Sequence, residues 1–261
     1  MKIAIAGWSL HRRFQAGSLK LIDFPEQARK EFGVKGIELN SPFFESLEDE
    51  YLRKLKEKVA KNKMKIVNIA VDSEGDLAST NEEIRKKAVK NHQKWIYIAK
   101  KVGSPSFRAN TGGPENITRE AIEKCIKSFT ELCQEAEKEG ITVLIENHGG
   151  ISKDPDIIVR IMEEVKRGIG TCPDFGNFPD ETRYQDLEKI AKYAKCAHAK
   201  FYEFDEKGED TKINASRCIN ILKKAGFDGW LSIEFEGKEN EKEGIKKSII
   251  LCQKYIGEVY D

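Results

Sequence analysis

The sequence contains no CxxC pair, no GxGxxG, no GxxxxGK[ST] and no apolar run of membrane-spanning length. Without either glycine-rich loop, a doubly wound nucleotide-binding sheet is disfavoured. The six cysteines, Cys125, Cys133, Cys172, Cys196, Cys218 and Cys252, are scattered through helical and strand patterns. There a reduced thiol behaves as a small apolar residue, so buried thiols in a reducing cytosol are expected. Excess charge is missing too. Forty-five basic residues face 44 acidic ones, for a formal net charge of +1. That balance gives no push towards nucleic acid or an anionic membrane. The chain runs from Met1 straight into the strand-like Lys2-Ile3-Ala4-Ile5-Ala6-Gly7, with no apolar stretch and cleavage site. A cytoplasmic protein without a signal peptide is the expectation. Linkers, low-complexity tracts and composition breaks are absent as well, so residues 1–261 are read as one domain.

What is present is a rhythm. Short, β-branched apolar runs alternate with longer amphipathic ones along the whole chain. Strands are expected at Lys2–Leu10, Gly36–Asn40, Lys65–Asp72, Ser104–Asn110, Thr142–His148, Gly168–Asp174, Cys196–Tyr202 and Trp230–Glu236. Helices are expected at Glu48–Lys61, Glu82–Lys101, Arg119–Glu139, Pro155–Lys166, Thr211–Ala225 and Glu241–Ile256. In the third of these, Ile122, Ile126, Phe129, Leu132 and Cys133 repeat at three and four. Gly33, Gly140 and Gly226 stand where helices end before strands, as left-handed caps. Eight strand–helix units in 261 residues, about 33 residues each, fit a (β/α)8 TIM barrel of the α/β class.

In such a barrel the C-terminal ends of the strands gather the reactive groups. Here those ends are polar. The fifth strand closes with Ile145-Glu146-Asn147-His148-Gly149-Gly150 and the sixth with Cys172-Pro173-Asp174-Phe175-Gly176-Asn177. The seventh carries Ala197-His198-Ala199-Lys200, and the eighth Ser232-Ile233-Glu234-Phe235-Glu236. Four consecutive strands each offer one strong metal ligand: Glu146, Asp174, His198 and Glu234. Three carboxylates and an imidazole suit one divalent ion, Mn²⁺, Mg²⁺, Co²⁺ or Zn²⁺. Without a cation the three acids would repel one another.

These four motifs resemble the xylose isomerase-like TIM barrel superfamily, in its sugar phosphate isomerase/epimerase branch. The resemblance implies that Glu146, Asp174, His198 and Glu234 bind one metal. It further implies that Glu146 and Glu234 flank the substrate as an acid/base pair. The substrate is then a small carbohydrate: a sugar or polyol-derived hydroxy-carbonyl compound. Removing a proton beside a carbonyl gives an enediolate, which a Lewis-acidic cation stabilises. Returning the proton to the same carbon epimerises, and returning it to the neighbouring carbon isomerises. Loss of a β-hydroxyl dehydrates, so a dehydratase of a keto-polyol such as an inosose is the alternative.

The superfamily also contains endonuclease IV-like nucleases, whose multi-zinc sites are histidine-rich. Four histidines, His11, His92, His148 and His198, are too few for such a cluster. A non-catalytic sugar-binding barrel is disfavoured by the intact Glu146 and Glu234. Period-two alternation places Lys200 on the face of His198, His148 on that of Glu146, and Glu236 on that of Glu234. Asn177 lies three residues beyond Asp174, Glu38 and Asn110 stand at the ends of the second and fourth strands, and Trp8 follows the first; with Lys200 and His148 they are the candidate substrate contacts. Competing structural readings are an ion pair for Lys200, loop support for His148, core packing for Trp8 and a lysine partner for Glu236. Arg108 either reaches an anionic substrate or forms an internal salt bridge. Some relatives carry a histidine at the position of Asn177. Neither the substrate's phosphorylation nor the oligomeric state is legible, although barrels of this kind often form homo-oligomers through their outer helices.

Overall fold

The structure, a computed structural model, describes residues 1–114 and 117–257. Eight strands form one parallel sheet: β1 (Lys2–Ala6), β2 (Gly36–Asn40), β3 (Lys65–Val71), β4 (Ser106–Ala109), β5 (Thr142–Glu146), β6 (Ile169–Cys172), β7 (Cys196–Phe201) and β8 (Trp230–Phe235). Their order is β6-β5-β4-β3-β2-β1-β8-β7. The remaining seam, between β6 and β7, is closed by parallel bridges at Thr171–Ala194 and Asp174–His198. Backbone bonds from Phe175 N to His198 O (3.1 Å) and His198 N to Pro173 O (2.9 Å) fasten it. The chain is thus a (β/α)8 TIM barrel, and two of the four expected ligands sit side by side on its closing seam.

The outer layer consists of α1 (His11–Gln15), α2 (Phe24–Phe32), α3 (Asp49–Lys61), α4 (Glu82–Val102), α5 (Arg119–Lys138), α6 (Pro155–Val165), α7 (Arg183–Ala191), α8 (Ala215–Lys224) and α9 (Glu241–Ile256). Local chemistry sets their starts. Asn81, Thr118, Asp154, Asn214 and Asn240 each accept backbone N–H bonds at the first turn of α4, α5, α6, α8 and α9. Gly33, Gly140 and Gly226 adopt positive φ as expected. In α5 the buried stripe is Cys125, Ile126, Phe129, Leu132 and Cys133, facing the sheet. None of the helices is long and apolar enough to cross a membrane among the described residues. All six cysteines are free and buried.

Every expected strand is present; β2 has the expected bounds and the others are shorter. β1 stops at Ala6 because Gly7 turns the chain across the barrel mouth, where Trp8 N donates to Asn40 Oδ1 at 2.9 Å. β6 stops before Pro173, which has no N–H to continue a ladder. The helix expected from Thr211 starts at Ala215 instead. Asp210 holds the preceding loop by accepting from Lys212 N, Ile213 N, Tyr202 N and Glu203 N.

The barrel interior changes character along its axis. Near the N-terminal ends of the strands it is plugged by Ala4, Val67, Leu144, Cys172 and Cys196, with Trp230 packed against them. One inward step beyond Leu144, Cys172 and Cys196 stand Glu146, Asp174 and His198, and Glu234 joins them from β8, all buried. The plug is tight. A Cβ on Gly36 would lie 2.6 Å from the Trp230 ring and 2.9 Å from Ala4 Cβ. Gly36→Ala is therefore expected to lower stability by roughly 1–3 kcal/mol, as overpacking does. The thermal midpoint would then fall by several degrees, and an unchanged midpoint would show that the plug yields.

Candidate metal centre

At the C-terminal mouth, period-two alternation on four neighbouring strands turns Glu146, Asp174, His198 and Glu234 inward together. The imidazole of His198 is their hub. Its Nδ1 lies 3.2 Å from Glu146 Oε1, 3.3 Å from Glu234 Oε2 and 3.7 Å from Asp174 Oδ2. Its Nε2 lies 2.7 Å from Glu38 Oε1. Ligand atoms of Glu146, Asp174 and His198 all lie within 4.8 Å of one another. Glu234 stands beside that trio, with its Oε1 taken by Lys200 Nζ at 2.9 Å.

This arrangement fits a divalent ion. Asp174 Oδ2 is buried without a hydrogen-bond partner among the described residues, its nearest cationic nitrogens being Lys200 Nζ at 3.6 Å and His198 Nδ1 at 3.7 Å, whereas Glu146 Oε2 has the Arg108 ion pair at 2.9 Å. An unpaired carboxylate oxygen in a dry interior is costly unless a cation takes it. Electrostatics agrees. Burial, with Glu234 and Glu146 against a lowering pull from Lys200, pushes the Asp174 carboxyl up to about 7. Burial disfavours the charged form of His198, yet Glu38, Glu146 and Glu234 outweigh it and hold its pKa well above the ordinary value.

The surroundings fix the ligands. Glu38, fully buried, does not face the cavity. Its carboxylate meets His198 Nε2, and Asn68 and Cys196 lie behind it. A carboxylate on the far nitrogen sets the tautomer and leaves Nδ1 free to ligate. Glu38→Gln is accordingly expected to weaken Mn²⁺ affinity roughly 10–100-fold, measured by competition with a chelator. Unchanged affinity would mean that His198 is held by the backbone alone.

Asn147 clamps the next strand end, accepting from Asp174 N at 2.8 Å and donating to Asp174 O at 3.0 Å. Sequence alternation does not single out Asn147, because it points along the strand ends, between β5 and β6. The polar run Glu146-Asn147-His148 is the only signal for it.

The other expected contacts divide into two walls. Lys200 bridges Glu234 and, at 3.6 Å, both Asp174 and Glu236, and it donates to Asn177 Oδ1 at 3.1 Å. Burial opposes the charge on Lys200, but Asp174, Glu234 and Glu236 outweigh it and keep the ammonium protonated. Asn177 donates in turn to Glu146 Oε1 at 3.1 Å. Trp8 Nε1 donates to Glu236 Oε1 at 2.7 Å, and the indole stacks on Phe43 and His11. Across the barrel, Arg108 on β4 spans Glu146 Oε2 (Nε, 2.9 Å) and Asp72 Oδ1 (Nη1, 2.7 Å), and Asn110 bonds to both Arg108 and Asp72. The exposed His148 lines the cavity between these walls, a space of about 260 Å³ shared with Trp8, Arg108, Glu146 and Glu234. His92 lies elsewhere, buried in α4 with Nδ1 at 2.8 Å from Ala88 O.

Residues 27–255 match the family model described as xylose isomerase-like TIM barrel. The chain belongs to that family. Among solved structures it is similar to a D-tagatose 3-epimerase-like protein, at 20% identity and a TM-score of 0.80, over 98% of this chain and 97% of that one. It is also similar to a probable 3-DHS dehydratase involved in petrobactin synthesis from Bacillus anthracis, at 16% identity and a TM-score of 0.75. That match covers 96% of this chain and 98% of the other. A curated relative, the C-glycoside deglycosidase alpha subunit of Microbacterium trichothecenolyticum, is 34% identical over 55 residues. The matched part is 21% of this chain and only 15% of that protein's length.

Proposed function

We propose that the protein is a divalent-metal-dependent isomerase or epimerase of a sugar or polyol-derived hydroxy-carbonyl compound. One observation carries this reading: Glu146 and Glu234 both reach a His198-centred cluster at the barrel mouth, on different strands. Glu146, Asp174 and His198 would hold the ion, with Glu234 completing the set. When bound, the ion supplies Lewis-acid stabilisation of negative charge on substrate oxygens.

The chain's own groups supply the rest. Glu146 is kept well below the usual carboxylate range: burial raises it, but His198 and Arg108 more than compensate. It remains an anion and is the better ligand. Glu234, hydrogen-bonded to Lys200, is the group placed to take a carbon-bound proton. Lys200 orients that carboxylate and offers a hydrogen bond to a substrate oxygen. Trp8 forms an apolar wall with its N–H turned to Glu236. The similarity to the epimerase-like and dehydratase structures supports carbohydrate chemistry at such a mouth.

A dehydratase is the second reading, favoured by the position of Lys200 among three carboxylates at the cavity, where its lasting positive charge can hydrogen-bond and stabilise a departing hydroxyl oxygen. Incubation in D₂O with Mn²⁺ or Mg²⁺ and a panel of ketoses, keto-inositols and hydroxypyruvate separates them by NMR. Deuterium next to the carbonyl with a stereoisomer or positional isomer as product supports the first reading, and an unsaturated or deoxy product the second. A metal-loaded protein that exchanges no carbon-bound proton in any of them would remove both.

A further inference from the structure

On the β3–β4 side of the cavity the side chains leave two polar atoms unspent. Arg108 is 3% exposed, and its nitrogens are nearly all committed. Nε faces Glu146, while Nη1 bonds to Val71 O (2.9 Å), Asp72 Oδ1 (2.7 Å) and Asn110 Oδ1 (2.7 Å). Nη2 has no partner among the described residues, and the side chain lines the cavity. Asp72 shows the complementary pattern. Its Oδ1 accepts from Arg108 and Asn110, whereas Oδ2 has no partner among the described residues and Asp72 lines the same cavity. A donor and an acceptor thus stand on one wall, across the barrel from Lys200. Neither Nη2 nor Oδ2 is among the fully buried unpartnered atoms, so both face the open cavity, where a ligand group can take the place of water.

The local charge says what that something is. Glu146 and Asp72 already flank the guanidinium, so its positive charge is compensated. A doubly charged cation would balance only Glu146 and Asp174. The remaining carboxylates, Asp72, Glu234 and Glu236, outnumber Arg108 and Lys200. A phosphate or carboxylate on the ligand would add to that excess. A hydroxyl, which accepts one hydrogen bond and donates another, matches an N–H and a carboxylate oxygen side by side.

We propose that Arg108 Nη2 and Asp72 Oδ2 read a hydroxyl of an uncharged polyhydroxy ketone, and so select free sugars or keto-polyols over their phosphate esters. This rests on the carbohydrate reading above and names its substrate class. Arg108 thereby has two duties, holding Glu146 and contacting the ligand, and the test separates them.

The probes are D-fructose, its 4-, 5- and 6-deoxy analogues and D-fructose 6-phosphate, with affinity for the Mg²⁺-loaded protein read by saturation-transfer NMR. One deoxy analogue is expected to bind roughly 10–100-fold more weakly than D-fructose, because it leaves the pair unmatched. In Arg108→Lys, which keeps the charge but not the fork, and in Asp72→Asn, D-fructose should fall to the level of that analogue. The analogue's own affinity should not change. Equal loss for every probe would overturn the proposal, assigning Arg108 to Glu146 alone. So would tighter binding of the phosphate ester, or no binding of any uncharged ketone. The hydroxyl-specific pattern without carbon-bound proton exchange keeps the reading pair and removes the isomerase function. Exchange without the pattern does the reverse.

Discussion

Glu234→Gln is expected to lower turnover roughly 10²–10⁴-fold, the range that a positioned proton-transfer group supplies. The amide keeps the shape and can still meet Lys200, but it cannot accept a proton from carbon. Little else should change. Glu146, Asp174 and His198 form the tight trio without Glu234, so metal content should stay near that of the wild type. Lys200 retains Asp174 and Glu236 at 3.6 Å, so its burial remains compensated. The decisive comparison is between product formation, metal content and thermal midpoint in one preparation. Loss of the first with the other two preserved places Glu234 in proton transfer. Turnover close to wild type would remove it from that role, and loss of all three would make it structural. Glu236→Gln is the control, since that residue reaches Trp8 and Lys200 but is not within 4 Å of His198.

How much of this was legible beforehand depends on the kind of residue. The strands and the three acids and one imidazole at their ends were readable because inward-facing positions recur every second residue and strand ends are punctuated by glycine, proline and turns. The apolar-to-polar steps Leu144 to Glu146, Cys172 to Asp174 and Cys196 to His198 are visible in the sequence itself. The short helices α2 and α7, each of nine residues, were not among the expected elements. Their apolar faces, Phe24, Ala28 and Phe32 in α2 and Leu187, Ile190 and Ala191 in α7, each fill barely two turns, too short a repeat to stand out in the sequence. Arg108 was visible, but the choice between ligand contact and salt bridge was not. That choice depends on Asp72 of β3's end and Glu146 of β5, strands that flank β4 only once the barrel forms. The same holds for Glu38, whose partner His198 is 160 residues away. Asn147 escaped for a different reason: its side chain bonds sideways to a neighbouring strand end, and alternation carries no information about that direction.

Asp174→Ala and His198→Ala should each cost more metal affinity than the outer substitution Glu38→Gln, by at least about 100-fold, since they delete a ligand rather than its support. The wild-type protein should also show a particular pH dependence. The Asp174 carboxyl, pushed up to about 7 from an ordinary 3.8, must ionise before it can ligate. Apparent Mn²⁺ affinity is therefore expected to rise with pH through about 7 as Asp174 ionises, and to keep rising above it as the ion displaces the His198 proton; Asp174→Asn should lack the first part and keep the second. Stability of the metal-free protein runs the other way. Because the folded state binds the Asp174 proton more tightly than the unfolded state, the contribution is fully present below pH 3.8 and is lost as pH rises through 7. Relative to Asp174→Asn, the metal-free wild type should lose a few kcal/mol across that window, and adding metal at pH 8 should restore it. Melting curves with and without Mn²⁺ from pH 5 to 8 test both signs together. A metal-induced gain that is the same at pH 5 and pH 8 would show that Asp174 is ionised throughout, and that the cluster holds its ion without displacing a proton.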